Sequence, residues 1–367
     1  MTFNHLRMAL ARKRKKVASK TLAELVGVSP VTISRIEKGN NDPEPATAAA
    51  IAKELGFPIG FFYDDDIDAL STEAASFRSL TTMTAKEKDA ALSAGSLAYL
   101  LSDWVNVRFN LPNVDLPNLQ YEGDAETSAK ILRQHWGLGE TPVSNMIKLM
   151  ESKGIRVFSL AENTKNVDAF SCWRDSTPYV FLNIYKSAER SRFDAAHELG
   201  HLILHKHGGP HDHSCAASTG REAEREADAF AAAFLMPKED ITSRIPNVQS
   251  LDQVVLAKKR WGVSVAALAY RLKTLNVITE WQHRTFCIQI NQRGYRYSEP
   301  NGLPREESVV WKEVFSSLWK DRLTKGHVAQ ELNLPLEELE NLVWGLTHNS
   351  PMPENRKLRA IDNKDII

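Results

Sequence analysis

Apolar residues recur at helical spacing through most of this chain. Over the first 62 residues they fall into short runs that predict helices over about 5–15, up to Val26, over about 30–38 and over Pro45 to Leu55. Gly27, Ser29-Pro30 and Gly39 punctuate them. Thr84-x-x-Glu87 then has the capping-box form and opens a long helix to about Phe109, with Leu92, Leu97, Leu100, Leu101, Trp104 and Val105 on its apolar face. Pro112 and Pro117 end it, and shorter helices are expected near 125–136 and 142–153. The periodicity next becomes strand-like in IRVFSL (155–160), DAFSCW (168–173) and YVFLNI (179–184), which implies a small sheet. Helices return at about 187–207 and 221–235, the second stopped at Met236-Pro237. The pattern predicts a mainly α chain with a small β-sheet, an α+β fold with an all-α amino-terminal part.

With 367 residues, two or three domains are expected. Lys plus Arg (46) balance Asp plus Glu (46), but the balance is not local. Residues 1–41 carry Arg7, Arg12, Lys13, Arg14, Lys15, Lys16, Lys20, Arg35 and Lys38 against only Glu24 and Glu37, a charge that suits a phosphate backbone. The stretch DDDIDALSTEAAS (64–76) is acidic without Lys or Arg and reads as a linker. The expected division is a DNA-binding domain over 1–63, a linker over 64–80, a second domain with helical flanks over 81–280, and a mostly helical accessory region over 281–367 that could support dimerisation. Cys172, Cys215 and Cys287 are too few and too scattered for a disulfide framework or a thiolate zinc finger. A cytoplasmic protein without a membrane span or secretion signal is expected.

Residues 197–201 read HELGH. On a helix, His197 and His201 project from one face one turn apart and can grip one metal ion, with Glu198 beside them to act on water. A catalytic zinc needs a third protein ligand and an open position. The next helix offers one in REAEREADAF, where Glu224 and Asp228 share a face. Glu224 could bind the metal and Asp228 orient a ligand histidine, while Glu226 points elsewhere. The same acids can also be read as a solvated charge run paired with Arg221 and Arg225. With zinc bound, a water near pKa ~7 could lose its proton to Glu198, which would pass it to a leaving amine. Tyr179, Tyr185 and the histidines His205, His207, His211 and His213 are candidates for the oxyanion donor. Cys215, in the loop between the two helices, could occupy the open metal position as a latency ligand. Mn2+ and Fe2+ suit the same ligand set as Zn2+.

The runs SRFDAAHELGHLILH and EREADAFAAAFLMP resemble the ImmA/IrrE family of zinc-dependent metallopeptidases over about residues 155–240. That resemblance implies a zincin-like domain with His197, His201 and Glu224 as metal ligands, Glu198 as the catalytic glutamate, and a lambda-repressor-like regulator as substrate.

At the amino terminus, LAELVGVSPVTISRIEKG fits a helix-turn-helix, with Gly27 in the turn, Ser29 as cap and Ile33 and Ile36 turned inward. Residues 5–62 resemble the XRE family of lambda-repressor-like DNA-binding domains. Ser19 stands where that family often has a phosphate-binding Gln, so that contact is expected to be weaker or replaced by one from Lys20. Val31, Thr32, Ser34 and Arg35 are free to face a groove, Arg35 foremost, with Lys38 nearby and RKRKK (12–16) against phosphates. A helix-turn-helix used only for protein contacts is the alternative. Two echoes follow. VVLAKKRWGVSVAALAYRLKTL (254–275) reads as a helical floor of the second domain, and GHVAQELNLPLEELENLV (326–343), rich in Glu, reads as a packing or dimer element.

The resulting expectation is a homodimeric transcriptional regulator that binds a double-stranded DNA operator and cuts a repressor, either a separate protein or itself at the acidic linker. The rival expectation is a transcription factor whose peptidase-like domain senses a ligand or metal without hydrolysis.

Overall fold

The computed structural model describes residues 2–70, 84–119, 123–160, 169–183, 185–205 and 220–347. The amino-terminal unit consists of α1 (His5–Arg14), α2 (Ser19–Val26), α3 (Pro30–Glu37), α4 (Pro45–Leu55) and a 3-10 turn (Ile59–Tyr63). Its helix starts are those the residue types dictate. The Asn4 side chain accepts from the Leu6 and Arg7 amides, and Ser29 Oγ accepts from the Thr32 amide with Pro30 in the first turn. Gly27, at φ 75°, closes α2 in the left-handed conformation and sets the angle to α3. Met8, Leu22, Ile33, Ile36, Ile51, Phe61 and Phe62 fill the interior, and the Asn4 amide donates to the Phe62 carbonyl at 2.7 Å, closing the unit on itself.

The long helix α5 (Ala85–Arg108) opens with the expected capping box, Thr84 with Glu87. Its burial is wider than one leucine face. Ala90, Ala91, Ser93, Ala94, Gly95, Ser96 and Ala98 are buried along with Leu97, Leu101 and Trp104. The small residues admit neighbours closely: a Cβ on Gly95 would stand 2.4 Å from Leu70 Cδ2. The helix packs on α1 at one end and under the sheet further along, so it is a spine between the two parts of the chain.

Of the acidic segment read as a linker, residues 64–70 lie within the description and are tied down. Asn4 donates to the Asp64 carbonyl and to Asp66, Arg7 Nε donates to the Asp65 carbonyl, Arg174 pairs with Asp68, and the Leu70 amide donates to Ser96 Oγ. Residues 71–80 lie outside the described residues.

After α6 (Ala125–His135) and α7 (Met146–Ser152) come β1 (Arg156–Leu160), β2 (Phe170–Arg174) and β3 (Thr177–Asn183). They form a three-stranded sheet in the order β1-β3-β2, with β1 parallel and β2 antiparallel to β3. Helix α8 (Ala188–Leu204) packs on the sheet, and α9 (Gly220–Leu235) packs on α8. Buried charges brace this pair. Lys258 Nζ is 3.0 Å from Glu189 Oε1, with both residues 1% exposed, and Arg192 pairs with Glu306. Arg271, in α12 (Val265–Thr274), donates to the Met236 carbonyl and pairs with Glu126. The segment 254–275 is thus the expected helical floor. Before α12 lie α10 (Lys238–Arg244) and α11 (Leu251–Ala257).

The remainder, α13 (Glu280–Gln292), α14 (Val309–Lys320), α15 (Lys325–Glu331) and α16 (Leu336–Val343), folds back over the rest of the chain. The Trp311 indole donates to the Val157 carbonyl at 2.9 Å. Glu331 accepts from Trp104 and Arg108, and buried Glu338 accepts from Arg14 and Lys15, each at 2.7 to 2.8 Å. The Glu-rich second echo is therefore a packing element within one chain. These pairs take Arg12, Arg14 and Lys15 of RKRKK away from the phosphate contact expected of that run. Arg12 pairs with Glu37 and donates to the Val17 carbonyl, Lys13 lies 3.9 Å from Asp89, and Arg14 and Lys15 clasp Glu338. Asp89 and Glu338, distant in sequence, take up part of the charge that the local count left unbalanced. Among the described residues, no helix is long and apolar enough to cross a membrane.

Candidate metal centre

Helix α8 begins at the Ser187 cap and buries Ala195, Ala196, Leu199, Leu202 and Ile203. This burial turns His197 and His201 toward α9. The glycine of HELGH follows from that approach: a Cβ on Gly200 would come within 3.1 Å of Phe230 Cδ1 and 3.3 Å of Ala227 Cα, so the two helices could not pass this closely over a larger residue.

His197, His201 and Glu224 meet where the helices touch, with their ligand atoms within 4.8 Å of one another. The two Nε2 atoms are 3.1 Å apart, and the Glu224 oxygens lie 3.3 Å from His197 Nε2 and 3.4 Å from His201 Nε2. At bond lengths of about 2.0–2.1 Å, two ligands of a tetrahedral zinc stand roughly 3.3–3.4 Å apart. Two imidazoles and one carboxylate at these separations fit a divalent ion with one position left open. Asp228 lies one turn past Glu224, its Oδ1 2.9 Å from His197 Nδ1. The solvated-run reading of these acids does not describe Glu224, which is 7% exposed.

Electrostatics agree with a site built for a cation. Burial alone would lower the His197 pKa, but hydrogen bonds to Asp228 and Glu224 prevail and raise it to about 10. Burial would raise Glu224, and the two imidazoles instead hold it well below the usual carboxylate range.

Glu198 is 3% exposed and lines the cleft beside His197, His201 and Glu224. Its Oε2 accepts from Ser171 Oγ at 2.7 Å. Successive strand residues face opposite sides of a sheet. On β2, Phe170 stacks on Phe181 and Cys172 meets the Tyr99 hydroxyl on one side, while Ser171 turns to α8 on the other. The role of Ser171 was not visible in the sequence, where it is one hydroxyl in an apolar run. Burial pushes the Cys172 thiol up to about 12, despite the Tyr99 hydrogen bond.

The other candidates fall differently. The Tyr179 hydroxyl donates to Ser102 Oγ on the far side of the sheet, which removes it as an oxyanion donor. His205 lies between His201 and Glu226, and burial lowers its pKa. Tyr185 is half-buried and outside the cleft lining. His207, His211, His213 and Cys215 lie outside the described residues. The cleft has a volume of about 990 Å³, and its walls include Tyr270 of α12 together with Tyr295, Arg296 and Glu299 from the segment after α13. On the amino-terminal unit, Lys20, Val31, Arg35 and Lys38 are exposed. Thr32 and Ser34 are half-buried, and the Thr32 hydroxyl is engaged with Ser29 at 2.8 Å. Ser19 Oγ is buried without a hydrogen-bond partner among the described residues, next to exposed Lys20.

Fold and site together define a helix-turn-helix unit joined to an α+β domain of metallopeptidase type. Residues 8–62 match the helix-turn-helix family model, and residues 150–273 match the peptidase M78 model, described as the IrrE N-terminal-like domain. The chain thus carries an XRE-type helix-turn-helix domain and an ImmA/IrrE-like domain in one polypeptide. No curated protein matches it.

Proposed function

We propose that this protein is a DNA-binding transcriptional regulator that hydrolyses a peptide bond in a lambda-repressor-like regulator, in trans or in itself, and so relieves repression. The observation that carries this reading is the spacing of His197, His201 and Glu224 next to a glutamate fixed by Ser171. The three ligands would hold a divalent ion. Zinc is the best match to this donor set, and manganese and iron are compatible with it. When bound, such an ion supplies Lewis-acid polarisation of a carbonyl and acidifies a water.

The protein's own groups do the rest. Asp228 orients the His197 ring so that its Nε2 faces the centre. Ser171 holds the Glu198 carboxylate at the cleft, where it takes the proton of the attacking water and delivers it to the departing amide nitrogen. Proton transfer of this kind is worth about 10²- to 10⁴-fold in rate. On the amino-terminal unit, Arg35 would read a base edge, with Val31, Thr32, Ser34 and Lys38 beside it and Lys20 on a phosphate. A homodimer would present two such helices to a two-fold operator.

The test is incubation of the zinc-loaded chain, with and without DNA, alone and with a lambda-repressor-like regulator, followed by mass spectrometry of the products. Cleavage by wild type and its loss in Glu198→Gln support the reading. Equal regulation of DNA binding in both proteins, without any cleavage, would favour a non-hydrolytic metal or ligand sensor.

A further inference from the structure

His205, the residue that caps the end of α8, continues the four-residue interval of His197 and His201. His205 Nδ1 is 3.2 Å from His201 Nδ1, and His205 Nε2 is 2.7 Å from Glu226 Oε2 on α9. His205 is 9% exposed. The two ligand imidazoles are therefore treated alike. His197 has its outward nitrogen on Asp228 directly, and His201 has its outward nitrogen tied to Glu226 through His205.

The proton arrangement along this chain of contacts follows from what each atom must do. His201 Nε2 faces Glu224 and the centre and must offer a lone pair there, so the proton of the neutral ring sits on Nδ1. His205 Nδ1 must then accept, which leaves its proton on Nε2, where the Glu226 carboxylate receives it. One tautomer for each ring satisfies these contacts. A carboxylate at the far end favours that arrangement and makes His201 a better donor.

We propose that His205 and Glu226 are positioning residues that fix the tautomer and ring angle of His201 and thereby set the metal affinity of the centre. This rests on the reading that His197, His201 and Glu224 hold a divalent ion. A substitution that removes both ring nitrogens while keeping the bulk should weaken the ion's hold. One that keeps an acceptor and a donor in line should preserve it.

The experiment uses the full chain and two metals. Zn2+ affinity is measured by competition with a chromogenic chelator, and the visible absorption of the Co2+-loaded protein reports ligand geometry. His205→Phe should bind Zn2+ about 10- to 100-fold more weakly and shift the Co2+ spectrum, as outer partners of metal-bound histidines generally do. His205→Gln should stay within a few-fold of wild type. Glu226→Ala changes a residue half open to solvent and should weaken binding in the same direction, which keeps the test available if His205→Phe does not fold. Wild-type affinity and spectrum in both His205→Phe and Glu226→Ala, with His201→Ala losing metal, overturn the proposal alone. A wild-type chain that takes up neither Zn2+ nor Co2+ overturns the metal centre and the proposal together.

Discussion

Glu338 ties the amino-terminal unit to the carboxy-terminal helices. It is 2% exposed, with Oε2 2.7 Å from Arg14 Nε and Oε1 2.7 Å from Lys15 Nζ. Removing one partner of a buried ion pair costs about 3–5 kcal/mol, because the remaining charge is left uncompensated. Arg14 is itself buried, but the Lys15 side chain is 28% exposed and can regain water, so the low end, about 3 kcal/mol, is expected for Glu338→Ala. The loss falls on the contact between α1 and α16 and need not unfold either part. Hydrogen exchange followed by mass spectrometry should show amides of both helices exchanging about a hundredfold faster, since each 1.4 kcal/mol is a factor of ten. The pH dependence has a definite sign. Burial would raise the Glu338 pKa, but the Arg14 and Lys15 charges outweigh it and the folded value is lowered from 4.5. Its contribution is therefore full above the ordinary carboxylate value and is lost as pH falls through the lower folded value. Wild type should show this acid-side loosening, and Glu338→Ala should lack it. Exchange within twofold of wild type at neutral pH in both Glu338→Ala and Glu338→Gln would refute the reasoning.

Gly200→Ala should push α8 off α9 against the Ala227 backbone, costing about 1–3 kcal/mol by overpacking and lowering Zn2+ affinity together with thermal stability. Unchanged values in both would show that the helices yield. His197 is raised to about 10 in the metal-free protein, so its stabilising contribution is full below the ordinary value of 6.5 and is lost as pH rises through 10. Metal uptake at pH 7 should accordingly release a proton, visible by calorimetry in buffers of different ionisation enthalpy. Asp228→Asn should reduce that release and weaken Zn2+ binding about 10- to 100-fold. On operator DNA, Arg35→Ala should cost about 1–3 kcal/mol and relax specificity at one base pair. Lys20→Ala should weaken binding to all sequences and reduce the salt slope by about 0.9.

Most of the helices and all three strands could be read from the sequence because their signals are local. Thr84 with Glu87, Ser29 with Pro30, and Gly27 set helix ends within a few residues of themselves. The candidate metal cluster was readable for the same reason, His197 and His201 on one helix turn and Glu224 paired with Asp228 on the next helix. What remained hidden depends on contacts between distant segments. Ser171 gains its meaning from strand register and from α8 crossing its face. The run RKRKK looked like a phosphate surface because Glu338, far along the chain, is its partner. His205 continued the four-residue interval of His197 and His201, a signal present in the sequence but read there only as a candidate oxyanion donor. The small residues of α5 likewise widened its buried surface beyond the leucine face.

The central claim is that this centre holds a metal for hydrolysis. Its most direct test is zinc stoichiometry and product mass spectrometry on wild type and Glu198→Gln, each incubated alone and with a lambda-repressor-like regulator in the presence of DNA. The account predicts one zinc per chain in both proteins and a discrete cleavage product from wild type only. One zinc per chain in both, with the same products or none from either, would contradict it.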